Sequence, residues 1–576
     1  MGNTPLGWAA ESGHEEVVEI LLRRDDIDPN KPREDGQTPL MLAACNGHEG
    51  VVKMLLARDD VNPNESDEYG ETPLSIAADN GHEGVVKILL GRSGINPDKS
   101  DDVGVTPLLG ATLNGHEGVV KILLGREDIN PNKSDVDGLT PLSVAAQDGN
   151  EGVVKILLRR NSIDPNQEDN NGLTPLLGAT LNGHEGVVKI LLGREDINPN
   201  KSNVDGQTPL SVAARNGNER VVKILLGQKD IDPNQSDNND QTPLLRATLN
   251  GHEGVVKILL TRDDIDPNKC AGHGDSPLFL AADHGHLGIV RMLLGREDLD
   301  PNKPGEDGKT PLLWGAWNGD ERVVKILLGR DDVDPNKPDG SGETPLCCAA
   351  GYGYERVVET LLGRYDADPN APGNDGQTPL CCAVRYDHKG VMEMLLGRHE
   401  VDPNKSDGEG ETPLCCAARH GREDAVKMLL GRDDIDPNTP DSHGRTPLCC
   451  AVENGHEGVV RILLVRDDVN LDKPDNEGQT PLLLAAGYGN QELVKMLLER
   501  DDINPDRSDK DCQTPLYRAA LHGHEEVVRI LLRWDEVNPN NPNKCRQAAL
   551  SLAVRNGDSH GIALLQPPTA ATRSPD

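Results

Sequence analysis

Four cysteine pairs recur at one interval in the second half of the chain: Cys347-Cys348, Cys381-Cys382, Cys415-Cys416 and Cys449-Cys450. Thiols repeated in this way are what a soft-metal site or a redox couple would need. Histidine recurs too, at His14, His48, His82, His116, His184, His252, His286, His456 and His524, and imidazole is the commonest general base. Acidic loops such as Asp128-Ile129-Asn130-Pro131-Asn132 copy the opening of a calcium-binding loop.

Each of these chemistries fails on spacing. The cysteine pairs lie 34 residues apart, and equivalent atoms in stacked helical units sit about 8–10 Å apart. That exceeds the Cα separation of a disulfide and is far too wide for a shared zinc. The cysteines therefore read as small apolar fillers in a reducing compartment. The histidine position is taken elsewhere by Asn150, Asn218, Asp320, Arg422 and Asn490, an exchange that suits a helix start and not a catalytic base. In the calcium-like loop, Lys133 stands where glycine is needed and Leu139 where the bidentate glutamate should be. There is no phosphate-cradling glycine loop, nucleophile elbow or zinc-protease motif. The expectation is a protein that is not an enzyme and uses no cofactor and no metal.

The elements that would position any site form a strict lattice. Thr-Pro-Leu starts at 4, 38, 72, 106, 140, 174, 208 and 242, returns as Ser276-Pro277-Leu278, and starts again at 310, 344, 378, 412, 446, 480 and 514. Every step is 34 residues. A degraded copy, expected to cap the array, begins near Ala548, and residues 566–576 are expected to be a disordered tail. Such periodicity marks a stack of supersecondary units that bury their apolar faces against one another. Residues 106–138 and 174–206 differ only at Asp135 against Asn203, which reads as a recent duplication. Copied blocks supply length and surface rather than a unique active site.

Within the unit at Thr446, the threonine suits an N-cap and Pro447 the first helical position. Leu448, Cys450, Ala451 and Val452 give a short apolar helix that Gly455 ends in a left-handed cap. His456 and Glu457 open a second helix with Val459, Val460, Ile462, Leu463 and Leu464 inward and Arg461 outward. Asp475-Asn476-Glu477-Gly478 has the pattern of a type I turn. The expected fold class is all-α.

Composition agrees. Aromatics make up 2% of the chain, with a single phenylalanine, Phe279, so the interior is built from Leu, Val, Ile and Ala. The formal charge of −37 repels phosphate backbones and anionic lipid, so neither nucleic acid nor a membrane surface is an expected partner. No apolar run reaches the length of a membrane span.

Thr-Pro-Leu-x-x-Ala-Ala, then Gly-His, Val-Val and Leu-Leu, then Asp-x-x-Gly, resembles the ankyrin repeat over residues 1–565. The resemblance implies an elongated, curved solenoid of helix-turn-helix pairs, on the order of 150 Å long from the spacing of stacked helices. Two departures stand out. The period is one residue longer than is usual in the family, and Arg432 to Asn438, with Pro437 inserted, replaces the usual loop. The Ile-Asp-Pro-Asn dialect is similar to that of ankyrin arrays of filamentous fungi.

The resemblance implies a scaffold that binds a partner protein, and the acidity favours a basic one. The expected setting is the cytoplasm, with the nucleus left open, and the expected state a monomer. Binding in such arrays uses the concave face, to which the resemblance assigns the eighth and ninth places after each threonine. Trp, Tyr and Arg dominate interface energetics, and they gather there at Trp317, Tyr352, Arg385, Tyr386 and Arg419, with His420 and, nearby, Tyr354. Units from Thr310 to about Asp441 are thus the expected contact patch, with Trp314 in the core. At the N-terminus the first unit lacks its hairpin and is expected to expose an edge near Leu6 and Trp8, as the C-terminal part of a longer protein would. On that alternative reading the array is the recognition half of a larger signalling protein, of nucleotide-switch or hydrolase type.

Overall fold

The computed structural model describes residues 2–534 and Val537. The degraded copy near Ala548 and the tail at 566–576 lie outside them. Among the described residues there are thirty-two α-helices and no strand. They come in antiparallel pairs, one pair per lattice step.

The unit at Thr174 shows why. Thr174 is extended, and its hydroxyl accepts the Leu177 N–H at 3.2 Å, satisfying one of the donors left open at a helix start. Pro175 occupies the first turn of the helix Pro175–Leu181. The chain then reverses at Gly183, whose φ of +75° costs a glycine little and other residues more. The second helix, Glu185–Leu192, buries Val187, Val188 and Leu191. Lys189 is exposed and Ile190 and Leu192 are half-buried, so the apolar stripe is narrower than the run of hydrophobic residues implies. The Thr446 unit repeats this, with Ile462 and Leu464 half-buried.

The chain divides into two units, Met1–Leu299 and Asp300–Asp576. Within each, a first helix packs on its own second helix and on the first helix of the next step, while second helices pack on second helices. In the first unit, Leu6 is 1% exposed. It is therefore not part of an open edge; Trp8, at 59%, does face solvent.

Polar side chains of the loop stitch successive steps together. Asn132 donates to the Ser162 carbonyl at 2.6 Å and accepts the Asp164 N–H at 2.9 Å. Lys133 donates to the Asp98 carbonyl at 2.6 Å. Arg126 grips Asp128 at 2.8 and 2.5 Å and also donates to the Leu90 carbonyl at 2.7 Å. The calcium-like loop is thus already occupied by the protein's own donors, and Arg126 holds the Asp128 carboxyl below its ordinary pKa. At the turn, Asp135 accepts from the Asp137 and Leu139 N–H groups at 3.0 and 2.8 Å. The Val136 N–H donates to Val103 of the preceding turn at 3.1 Å.

Candidate protein-binding face

The histidines stand at the second-helix N-caps, but their side chains do not cap the helix. Most instead reach back one step: His184 Nε2 lies 2.9 Å from the Gln147 carbonyl and His456 Nε2 2.9 Å from that of Arg419. Where Asn150 and Asn490 replace histidine, the bond turns forward, to the Val153 and Leu493 N–H groups at 3.3 and 3.1 Å, whereas Asn218 makes no such cap. The structural role expected of this position holds, with a different partner from the one a helix start suggests.

The cysteine pairs are buried. Burial pushes the Cys381, Cys416 and Cys449 thiols up to about 12, which suits fillers rather than nucleophiles. The nearest thiols across successive steps include non-equivalent ones, Cys347 beside Cys382 and Cys415 beside Cys450. Among the described residues no group of three or more His, Cys, Asp or Glu side chains is placed to hold a metal ion.

The eighth place lies at the end of the first helix or one residue before it, over the fifth place of the next unit. Arg419 Nη2 sits 3.7 Å from Cys450 Sγ, and a Cβ added at Gly351 would fall 3.8 Å from that of Cys382. The exposed ends of the first helices therefore form one row within the second unit. Trp317, the last residue of Pro311–Trp317, is 37% exposed, and Tyr352, ending Pro345–Tyr352, is 49% exposed. Their rings meet edge to face with centroids 5.4 Å apart. Tyr352 stacks on Tyr354 at 5.8 Å, and Tyr354 fills the place histidine holds elsewhere. Tyr386 follows at 60% exposure and packs beside His388.

Lys309 places its ammonium 5.0 Å from the Trp317 centroid and 5.7 Å from that of Trp314, a cation–π arrangement. Trp314 is half-buried rather than core. Tyr488, 59% exposed, stands in the same ninth place at the end of Pro481–Tyr488. Sequence reasoning passed over both Lys309 and Tyr488, although the lattice position of Tyr488 marks it.

Arg385 and Arg419 are differently placed. Arg385 Nη2 lies 3.5 Å from Asp407 and 3.6 Å from Glu411. Arg419 bridges Glu411 at 2.6 Å and Asp441 at 2.8 Å. These carboxylates are buried, so both guanidiniums are committed to joining steps. His420 is exposed beside them and lines, with Arg445, a cavity of about 270 Å³. Burial, with the neighbouring guanidiniums, lowers the His420 pKa.

What the geometry defines is a repeat scaffold that presents side chains at fixed intervals. The ankyrin repeat family, in blocks of three copies, matches in overlapping segments from residues 1–67 through 264–339 to 465–543. The chain belongs to the ankyrin repeat family, and its fold is that of a protein-interaction module. No curated protein matches it. No helix among the described residues is long and apolar enough to cross a membrane.

Proposed function

We propose that the chain is a scaffold that performs no chemistry of its own and binds a partner protein through the row Trp317, Tyr352 and Tyr386, flanked by Tyr354 and His420. Arg385 and Arg419 belong to this face as braces that fix its shape. The observation that carries the reading is the Trp317–Tyr352 contact: two large rings from successive steps touch while staying solvent-exposed in a chain with few aromatics. Contiguous exposed aromatics of this kind mark interaction surfaces. The partner's surface is basic, since the scaffold carries a formal charge of −37. Units from Thr310 to about Asp441 form the patch, on the face the family resemblance makes concave.

The test compares affinity capture by the full chain and by the Trp317→Ala/Tyr352→Ala/Tyr386→Ala variant. A protein retained by the first and lost by the second supports the assignment. Equal retention of every captured protein overturns it.

A further inference from the structure

The structural arginine is replaced at two steps, by Gln228 and by Trp534, and at Gln228 its socket is intact. Arginine precedes the acidic loop in step after step, and in most of them its contacts follow one pattern. Arg194 donates to the Leu158 carbonyl at 3.0 Å and grips Asp196 at 2.8 and 2.5 Å. Arg262 does the same with Leu226 at 2.9 Å and Asp264 at 2.8 and 2.6 Å. Arg296, Arg364 and Arg432 add a second carbonyl, that of the preceding arginine, at 2.9, 2.8 and 2.8 Å. The socket is thus two carbonyls just past a helix C-terminus, where a cation is favoured, and one carboxylate two residues ahead.

At this lattice position between Arg194 and Arg262 stands Gln228. Its backbone keeps the pattern: the Gln228 N–H donates to Leu225 at 2.9 Å as that of Arg194 does to Leu191 at 3.0 Å. The Asp230 carbonyl accepts from Asn200 at 2.6 Å, holding the loop in register. The glutamine is two atoms too short and carries no charge. A cavity of about 190 Å³ remains, lined by Leu192, Arg194, Ile197, Gln228 and Asp230. Among the described residues, the Leu192 and Arg194 carbonyls receive no hydrogen bond and the Asp230 carboxylate has no ion-pair partner. Lys229 lines the rim, exposed, without pairing to it.

We propose that this socket binds an arginine side chain supplied by a protein partner. A planar guanidinium can serve two carbonyls and one carboxylate at once, as those of Arg296, Arg364 and Arg432 do; a lysine ammonium is a point charge and cannot match the fork. The site lies in the Met1–Leu299 unit and is independent of the aromatic row.

The test is saturation-transfer NMR on the full chain with Nα-acetyl-arginine methylamide and its lysine counterpart as probes. The arginine probe is expected to bind at least tenfold more tightly than the lysine probe and to be displaced by methylguanidinium. Asp230→Asn weakens it about tenfold, and Gln228→Arg, which fills the socket as neighbouring steps do, abolishes it. Equal binding of the two probes, or undiminished arginine binding by a folded Gln228→Arg variant, overturns the proposal.

Discussion

The side-chain amide of Asn132 donates to the backbone carbonyl of Ser162, thirty residues on, at 2.6 Å. The same bond recurs from Asn200 to Asp230 and from Asn438 to Asp468 at 2.6 and 2.7 Å. Aspartate replaces the asparagine, and so removes the donor, at Asp98, Asp472 and Asp506. In Asp98 and Asp472 one carboxylate oxygen still accepts the next loop's N–H, at 2.8 and 2.9 Å. The other oxygen is buried with no partner, and burial raises both pKa values.

Asp98→Asn should therefore restore a donor where an orphan acceptor now sits. We expect a gain of about 1 kcal/mol at neutral pH, read by urea unfolding of an array spanning residues 72–207. Asn132→Ala should cost a similar amount in the same array.

Asp79 predicts a pH dependence. Its side chain lies over Gly110 of the next step, where an added Cβ would fall 1.7 Å from Oδ1. Burial, with Glu71 and Asp101 nearby, raises its pKa from 3.8 to about 7. The folded state then binds a proton that the unfolded state has released, so stability is greatest below about pH 4 and falls as pH rises to about 7. The separation sets a ceiling of about 4 kcal/mol, and screening at this half-exposed site reduces the expected loss to about 2 kcal/mol. Urea unfolding across that window should show the slope in the wild type and a flatter profile in Asp79→Asn.

Little of this stitching is legible in the sequence, whereas the helix pairs are. Thr174, Pro175 and Gly183 act on residues within one turn of themselves, so composition and spacing reveal their roles. Asn132, Lys133, Arg126 and His184 act on backbone 30–37 residues away, and a carbonyl partner leaves no trace in residue type. The same limit applied at the candidate site. Trp317, Tyr352 and Tyr386 stand out by type at lattice positions, but nothing in the sequence shows that Arg385 and Arg419 are tied to Asp407, Glu411 and Asp441. Nor does it show that Gln228 leaves a socket open, which only the neighbouring arginines make recognisable.

The two-way use of the second-helix start gives another expectation. His184→Asn should cost less than His184→Ala, because asparagine can exchange the backward bond for a forward cap as Asn150 and Asn490 do. His184→Ala loses both and should cost about 1 kcal/mol, measured by urea unfolding of the 72–207 array.

Filling the open socket should also stabilise the chain. Gln228→Arg adds a guanidinium between Leu192 and Asp230, worth about 1 kcal/mol. Local hydrogen exchange in the Glu185–Leu192 and Glu219–Leu226 helices should slow accordingly, while exchange beyond Asp300 stays unchanged.

The central claim is that each helix pair obtains its interior from its neighbours. Its most direct test is urea unfolding of arrays of one, two, three and four steps, residues 72–105, 72–139, 72–173 and 72–207. The single step should be unfolded, and stability and its urea dependence should rise with each added step. A single step that folds cooperatively alone, or arrays of equal stability whatever their length, would contradict the account.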